Sequence, residues 1–266
     1  MSILEKFKLD GSVAVVTGAG KGIGRGIAMA LAEAGADLAV ASRNEKDLQE
    51  TANLITSIGK KCLVVSTDVT KKDQLENLAL QTINEFGLIN IWVNNAGGLP
   101  DATPRYMTKT SEEQFDAQMD LNLKAVWSGC VMAANHMQEK GGSIINVSSG
   151  TSKNMKPNIK NGPYGAAKAA VNSLTASFSL ELAPKIRVNA VAPGHTLASP
   201  EQTEEGFNRA QSESPLGYGP SPEDIAQAVA YLIEANSVTG QVIFVDSGER
   251  FLSRDRDVVF ETEGNS

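Results

Sequence analysis

The sequence predicts an α/β fold: a single doubly wound domain over residues 1–266, with a parallel sheet covered by helices on both faces. Three observations carry this. Short β-type runs alternate with helix-length segments along the whole chain. The β-type runs are nearly continuously apolar, the pattern of strands buried on both faces. A glycine-dense turn, with Gly18, Gly20, Gly22 and Gly24, joins the first such run to the first helical one.

The elements follow in order. Strand Val13–Thr17 leads through the glycine turn into helix Gly22–Ala34. Strand Asp37–Ala41 precedes helix Glu45–Ile58, and strand Lys61–Ser66 precedes helix Lys71–Phe86. Strand Ile89–Val93 is followed by helix Gln114–Gln138, and strand Ser143–Val147 by helix Tyr164–Leu182. Strand Ile186–Val191, helix Pro222–Glu234 and strand Gln241–Val245 complete the series. Right-handed crossovers leave few topologies for such a chain. No linker, repeat or low-complexity run divides it. Residues 97–113 and 193–221, rich in Pro, Gly, Ser and Thr, break the rhythm, and each follows a strand. Ligands bind beyond the carboxyl ends of strands in open α/β sheets, so both are candidate site loops. The second is the expected substrate loop.

Composition narrows the function classes. Apolar residues make up 41% and charged residues 21% of the 266, ordinary for a globular protein. The net charge of -7 argues against a nucleic-acid partner, which needs a basic face. No apolar run reaches the roughly 18 residues of a membrane helix. Met1–Lys6 lacks a basic segment followed by an apolar core, so no secretion signal is expected and the cytoplasm is the expected compartment. Cys62 and Cys130 are expected as buried, reduced thiols. Two histidines and two distant cysteines form no metal-ligand cluster. His136 is expected as a solvated cation at a helix end. His195 reads either as an acid/base or as a residue that shapes the pocket.

The glycine turn is the first site signal. A strand ends, the backbone turns tightly, and a helix begins with free N–H groups aimed at an anion. Glycine lets the backbone approach a pyrophosphate closely. The spacing departs from G-x-G-x-x-G and fits G-x-x-x-G-x-G. Tyr164 and Lys168 are the second signal. Four apart on a helical segment, they share a face. A phenol titrates near ~10, and a neighbouring cation lowers that value toward a useful range for a general acid/base.

Thr17-Gly18-Ala19-Gly20-Lys21-Gly22-Ile23-Gly24 resembles the TGxxxGxG signature of the short-chain dehydrogenase/reductase family. Asp68-Val69 follows the third strand, Asn94-Asn95-Ala96-Gly97 matches NNAG, and Asn122 sits in Asp120-Leu121-Asn122-Leu123. Tyr164 to Lys168 matches YxxxK, and Arg187-Val188-Asn189 with Pro193-Gly194 matches RVN…PG. The resemblance covers about residues 10–250 and is similar overall to 3-oxoacyl-carrier-protein reductases and bacterial hydroxysteroid dehydrogenases. It implies a Rossmann-like seven-stranded sheet, a homotetramer, and hydride transfer between a nicotinamide cofactor and a secondary alcohol/ketone pair.

By the same resemblance, Tyr164 exchanges the proton, Lys168 holds the nicotinamide ribose, and Asn122 positions a water leading to that lysine. Gly18, Gly20, Gly22, Ile23, Gly24, Asp68, Val69, Asn95, Ala96, Gly97, Pro193 and Gly194 line the cofactor. The catalytic hydroxyl departs from pattern. The family's serine commonly lies thirteen residues before the tyrosine, where this chain has Thr151. The motif Asn146-Val147-Ser148-Ser149 instead aligns Ser149, with a two-residue insertion within 150–163. Ser149 is the assignment; Ser148 and Thr151 are its alternatives. After Pro193-Gly194 the nicotinamide-binding threonine is expected at Thr196, in an unsettled register.

The second strand selects the cofactor. An acid at its end would bind ribose hydroxyls, whereas an arginine suits a 2′-phosphate. Here it ends Ala41-Ser42-Arg43-Asn44, with no carboxylate at 41–43. Arg43, with Ser42 beside it and Lys21 from the glycine turn, therefore points to NADP(H). The expected partner is a small carbonyl or alcohol. Two alternatives stay open. The segment Gly248–Leu252 with Arg256-Asp257-Val258 is faintly similar to pteridine-reductase-like members, and such folds also serve as non-catalytic NADP-binding regulators. The tail 249–266 is expected to contain an ordered segment contacting a neighbour.

Overall fold

A computed structural model describes residues 8–99, 107–153, 163–199 and 202–252. One seven-stranded sheet, all parallel, runs in the order β3-β2-β1-β4-β5-β6-β7. Its strands are β1 (Val13–Thr17), β2 (Asp37–Ser42), β3 (Cys62–Ser66), β4 (Ile91–Asn94), β5 (Gly142–Val147), β6 (Ile186–Pro193) and β7 (Val242–Val245). The helices are α1 (Gly22–Glu33), α2 (Glu45–Ser57), α3 (Lys72–Phe86), α4 (Glu112–Met119), α5 (Ala125–Met137), α6 (Pro163–Glu181), α7 (Glu204–Ser212) and α8 (Pro222–Glu234). The order reverses between β1 and β4, so the first half of the sheet grows one way and the second half the other. A crevice opens at that reversal, beyond the carboxyl ends of the strands.

Alternate residues of each strand feed two cores. On one face Ala14, Val16, Leu38, Val40 and Ile145 meet Ile27 and Leu31 of α1 and Val229 and Leu232 of α8. On the other, Val15, Ala39, Trp92 and Ile144 meet Leu75 of α3, Val126 of α5 and Val171 and Phe178 of α6. Burial on both faces explains why these strands read as continuous apolar runs. Several helix starts carry side-chain caps, whereas those of α1 and α3 do not. Asn44 accepts from the N–H groups of Lys46 and Asp47, and Ser221 and Asp224 form a capping box around Pro222. Arg187 and Asn189 of the RVN motif serve the fold. The guanidinium donates to the carbonyls of Leu232 and Ile233 at the end of α8, and Asn189 Nδ2 donates to Val238 O at 2.9 Å.

Two elements differ from the sequence expectation. Helix Gln114–Gln138 is divided into α4, a π turn at Asp120–Lys124, and α5. The Ala125 N–H reaches back five residues to Asp120 O. Residues 193–221 also contain a helix, α7, capped by the Thr203 hydroxyl with Glu204 and Glu205 in its first turn. Both cysteines are free. Cys130 is buried but Cys62 is only partly so, because it lies on edge strand β3. Burial pushes both thiols up to about 12, which keeps them protonated and inert. His136 lies in the last turn of α5. No described helix is long and apolar enough to cross a membrane.

A buried polar chain locks β4 to β5 below the crevice. Trp92 Nε1 donates to Asn94 Oδ1 at 2.8 Å, Asn94 Nδ2 to Asn146 Oδ1 at 2.9 Å, and Asn146 Nδ2 to Thr175 Oγ1 of α6 at 3.0 Å. Helix α5 crosses this chain at Gly129, where an added Cβ would lie 2.0 Å from Asn94 Oδ1. No other residue lets the helix sit so close.

Candidate active site

The crevice is a cleft of about 1650 Å³, large enough for a dinucleotide with a substrate beside it. It is built from the first strand outward. Thr17 Oγ1 accepts from the N–H groups of Asn95 and Ala96 at 3.0 and 3.1 Å and donates to Val93 O at 3.2 Å. Asn95 Nδ2 donates to the carbonyls of Thr17 and Gly18 at 2.9 and 3.2 Å. These bonds join the ends of β1 and β4 where the two strands separate. The glycine turn fits against them without spare room. A Cβ on Gly24 would lie 2.2 Å from Gly18 O, and one on Gly18 would lie 2.8 Å from Asn95 Nδ2, at a φ of 67°. The result is a side-chain-free cradle of backbone N–H groups at the start of α1, which fits a pyrophosphate. Arg25 stabilises it from behind, with Nε and Nη2 both donating to Gly20 O.

At one end of the cleft stand Lys21, Ser42, Arg43, Asp68 and Val69. Asp68 accepts from the Thr70 N–H and hydroxyl at 3.0 and 2.8 Å. Partial burial raises its pKa, but those bonds and the charges of Arg43 and Lys71 outweigh this and hold the carboxyl below its usual range. Sequence reasoning missed Asn44, Glu45, Lys46 and Asp47, which line the same end. Glu45 and Asp47 are first-turn acids of α2, positioned by the Asn44 cap. Asp47 also packs on the glycine turn, where a Cβ on Gly20 would lie 3.0 Å from the Asp47 Cβ, a long-range contact with no local signal.

At the other end lie Asn95, Ala96, Gly97, Ser148, Ser149, Tyr164, Lys168, Pro193 and Gly194. Lys168 is 2% exposed. Its Nζ donates to Val147 O at 2.8 Å and lies 5.8 Å from the Tyr164 ring centroid. Burial draws its pKa down from 10.5 to about 8, so it is still a cation at neutral pH. Ser149 Oγ and Thr151 Oγ1 are 2.9 Å apart, but Ser149 lines the cleft and Thr151 does not. The Ser148 hydroxyl donates to Asn172 Oδ1 at 2.7 Å and lies 3.1 Å from Lys168 O.

Two expected site residues do not line the cleft. Asn122 is fully buried in the π turn, where Nδ2 donates to Gly98 O at 2.8 Å and Oδ1 accepts from Gly98 N at 2.9 Å. Both it and Lys168 close on Gly97: a Cβ there would be 3.0 Å from Asn122 Oδ1 and 3.2 Å from Lys168 Nζ. Thr196 is also buried, and its hydroxyl turns back to Gly194 O at 3.0 Å. Leu197 and Ala198 face the cleft instead, and Leu197 Cδ1 reaches the space above Gly22. His195 is not among the lining residues. Its N–H donates to Glu249 Oε2 at 2.7 Å, its Nε2 lies 2.7 Å from Gln202 Oε1, and its ring packs on Phe207. Among the described residues no group of three or more His, Cys, Asp or Glu gathers around a metal position.

The Lys168 charge has a stability signature. At pH 7 it is protonated folded and unfolded, and the folded chain bears its desolvation. Between about 8 and 10.5 the folded chain has released that proton while the unfolded chain retains it, so stability rises with pH across this window. Relative to Lys168→Met, the wild type should gain on the order of 2–4 kcal/mol between pH 7 and 10.5, read from urea melts at both pH values. A difference that does not change with pH would contradict a buried cation.

Comparison with known proteins agrees with this geometry. Residues 18–249 match the family described as Enoyl-(Acyl carrier protein) reductase. The chain is 40% identical to the short chain dehydrogenase/reductase astE of Aspergillus oryzae, over 92% of this chain and 97% of that one. It is 34% identical to the 3-oxoacyl-acyl-carrier-protein reductase FabG of Thermotoga maritima, over 91% and 98%. Among solved structures, a 7α-hydroxysteroid dehydrogenase complexed with NADH and 7-oxo glycochenodeoxycholic acid superposes with a TM-score of 0.85 at 30% identity, over 93% and 98%. With this sheet order, glycine cradle and sequence similarity along nearly its whole length, the chain belongs to the short-chain dehydrogenase/reductase family of oxidoreductases.

Proposed function

We propose that the protein is an NADP-dependent oxidoreductase that interconverts a ketone and a secondary alcohol, with Ser149, Tyr164, Lys168 and Asn122 as its catalytic group. One observation carries the reading. Two cations, Lys21 and Arg43, line one end of the cleft whose other end is lined by Ser149, Tyr164 and Lys168, and the glycine cradle lies between them. When bound, the nicotinamide supplies a hydride to the carbonyl carbon or takes one from the alcohol carbon.

The chain's own residues do the rest. In reduction the Tyr164 hydroxyl gives its proton to the carbonyl oxygen; in oxidation the phenolate takes that proton back. Lys168, buried and cationic, stabilises negative charge developing on the phenol oxygen, and its ammonium donates to the nicotinamide ribose. The Ser149 hydroxyl donates to the substrate oxygen and polarises it. Asn122 holds the Gly97–Gly98 wall beside Lys168 and leads a water toward that lysine, through which the tyrosine recovers its proton. Gly18, Gly20, Gly22, Ile23 and Gly24 cradle the pyrophosphate, Asp68 and Val69 hold the adenine, and Ser42, Arg43 and Lys21 bind the 2′-phosphate. Asn95, Ala96, Gly97, Pro193 and Gly194 line the nicotinamide side, where Leu197 and Ala198 add apolar wall.

The substrate is read as a 3-oxoacyl, hydroxysteroid or similar carbonyl compound, by similarity to relatives with those printed activities. Residues 195–199 and 202–218, which include α7, form one wall of its site. Reduction is the favoured direction if NADPH is the donor. In solution a homotetramer fits the apolar surface of Trp127 on α5 and Leu180 on α6, 46% and 83% exposed.

A panel of ketones, including a 3-oxoacyl thioester and a 7-oxo bile acid, should reveal NADPH oxidation. A protein that binds NADPH but turns over none of them would be a regulator instead. Phosphate recognition by two cations predicts an NADPH preference over NADH of at least about tenfold in kcat/KM, roughly 1.4 kcal/mol. Arg43→Ala should lower that preference strongly and Lys21→Ala less. Equal efficiency with NADH in the wild type would contradict the phosphate site.

For the catalytic hydroxyl, Ser149→Ala should cost at least about a hundredfold in turnover at saturating cofactor, far more than Ser148→Ala or Thr151→Ala. If Thr151→Ala is the crippling change, the two-residue insertion is misassigned.

A further inference from the structure

We propose that Asn172 is a positioning residue for this reaction: its carboxamide ties the turn that carries Ser149 to the helix that carries Tyr164 and Lys168. The inference rests on the reading of those three as the reacting groups. They come from two separate pieces of chain. Ser149 stands between the end of β5 and the 3₁₀ turn Gly150–Lys153, whereas Tyr164 and Lys168 belong to α6. A hydroxyl that must meet the same substrate oxygen as the phenol tolerates little relative movement; about 1 Å of misplacement can cost up to about 10²-fold in rate.

Tyr164, Lys168 and Asn172 recur every fourth residue along one face of α6. Asn172 is the next step of that series beyond the cleft and does not line it. Its Oδ1 accepts from the Ser148 hydroxyl at 2.7 Å, and its Nδ2 donates to Ser152 Oγ at 2.9 Å. One side chain therefore holds the residue before Ser149 and the residue three after it. The same hydroxyl lies 3.1 Å from Lys168 O, the longer arm of a shared hydrogen bond, so the contact reaches the main chain of the lysine. A carboxamide is suited to this because it offers an acceptor on one side and a donor on the other. The direct side-chain tie from Lys168, Nζ to Val147 O, uses the ammonium itself. That group is needed at the cofactor, so it cannot also be the permanent brace. Asn172 braces the same junction with a group that has no task in the cleft. This also accounts for Ser148: its hydroxyl is committed to the brace and leaves the substrate oxygen to Ser149.

The test is a double-mutant cycle on kcat, with the panel ketone that the wild type turns over fastest. Asn172→Leu keeps the shape and removes both bonds; it should lower kcat by about tenfold or more. NADPH affinity, from a fluorescence titration without substrate, should stay within about twofold. Ser152→Ala cuts the brace from the turn side and should lower kcat by about threefold, so the proposal stands or falls even if Asn172→Leu does not fold. Because Asn172 acts through Ser149, adding Asn172→Leu to Ser149→Ala should cost less than about a further twofold. The idea is overturned if Ser149→Ala is crippled while Asn172→Leu and Ser152→Ala keep wild-type kcat. It is also overturned if the Asn172→Leu loss carries over in full onto Ser149→Ala, as a general loss of packing would. Full turnover in Ser149→Ala is a different result: it removes the catalytic reading itself, and this inference with it.

Discussion

Every functional feature of this protein depends on the separation of β1 from β4 at the point where the sheet reverses direction. Two parallel neighbours must part there, because their crossovers leave to opposite faces, and the parting exposes backbone groups that would otherwise pair. Thr17 and Asn95 take up those groups, with one hydroxyl making three bonds and one carboxamide bridging two carbonyls. These bonds close the floor of the crevice between the two strand ends. Its rim is then free of side chains at Gly18 and Gly24, where the same Asn95 leaves no space for a Cβ. The anion cradle and the strand separation are consequences of a single arrangement.

The chemistry end depends on a second constraint, a lysine kept charged out of water. Burying an ammonium is costly unless it is bonded. Val147 O meets part of that need, and the burial still lowers the pKa of Lys168 to about 8. Such a group favours binding an anionic phenol and a ribose, both of which offer what the interior withholds. The Trp92–Asn94–Asn146–Thr175 chain beneath it keeps β4, β5 and α6 in fixed relation, so the ammonium is held 5.8 Å from the Tyr164 ring centroid.

Much of this was legible in the sequence, for identifiable reasons. The strands were readable because burial on both faces makes them uninterrupted apolar runs, and their ends differ by a few residues at most. The doubly wound parallel sheet and the glycine cradle followed from the alternation and from the placement of Gly18–Gly24 between a strand and a helix. Lys21, Ser42 and Arg43 were readable as one group because a strand end and a βα turn meet at the same edge in this topology. The π turn at Asp120–Lys124 was not, since its residues are as helical in pattern as those on either side. Helix α7 was hidden by its Pro-, Ser- and Gly-rich flanks, although the Thr203 cap and the acids after it were available signals. Thr196 shows how fine the register is after Pro193-Gly194: it is buried, whereas Leu197 and Ala198 beside it line the cleft. Glu45 and Asp47 read as belonging to the next helix and so were set aside, yet packing brings them to the cleft; Asn172 carried no signal, because its partners are set by tertiary packing and not by local pattern.

The central claim is that the Tyr164 hydroxyl supplies the proton when the carbonyl is reduced. Single-turnover reduction of the fastest panel ketone by Tyr164→Phe, preloaded with NADPH, tests it most directly, since the substitution removes one hydroxyl and leaves the ring. The account predicts that hydride transfer slows by at least about 10²-fold while NADPH affinity stays within about twofold of wild type. Hydride transfer at the wild-type rate in that variant would contradict it.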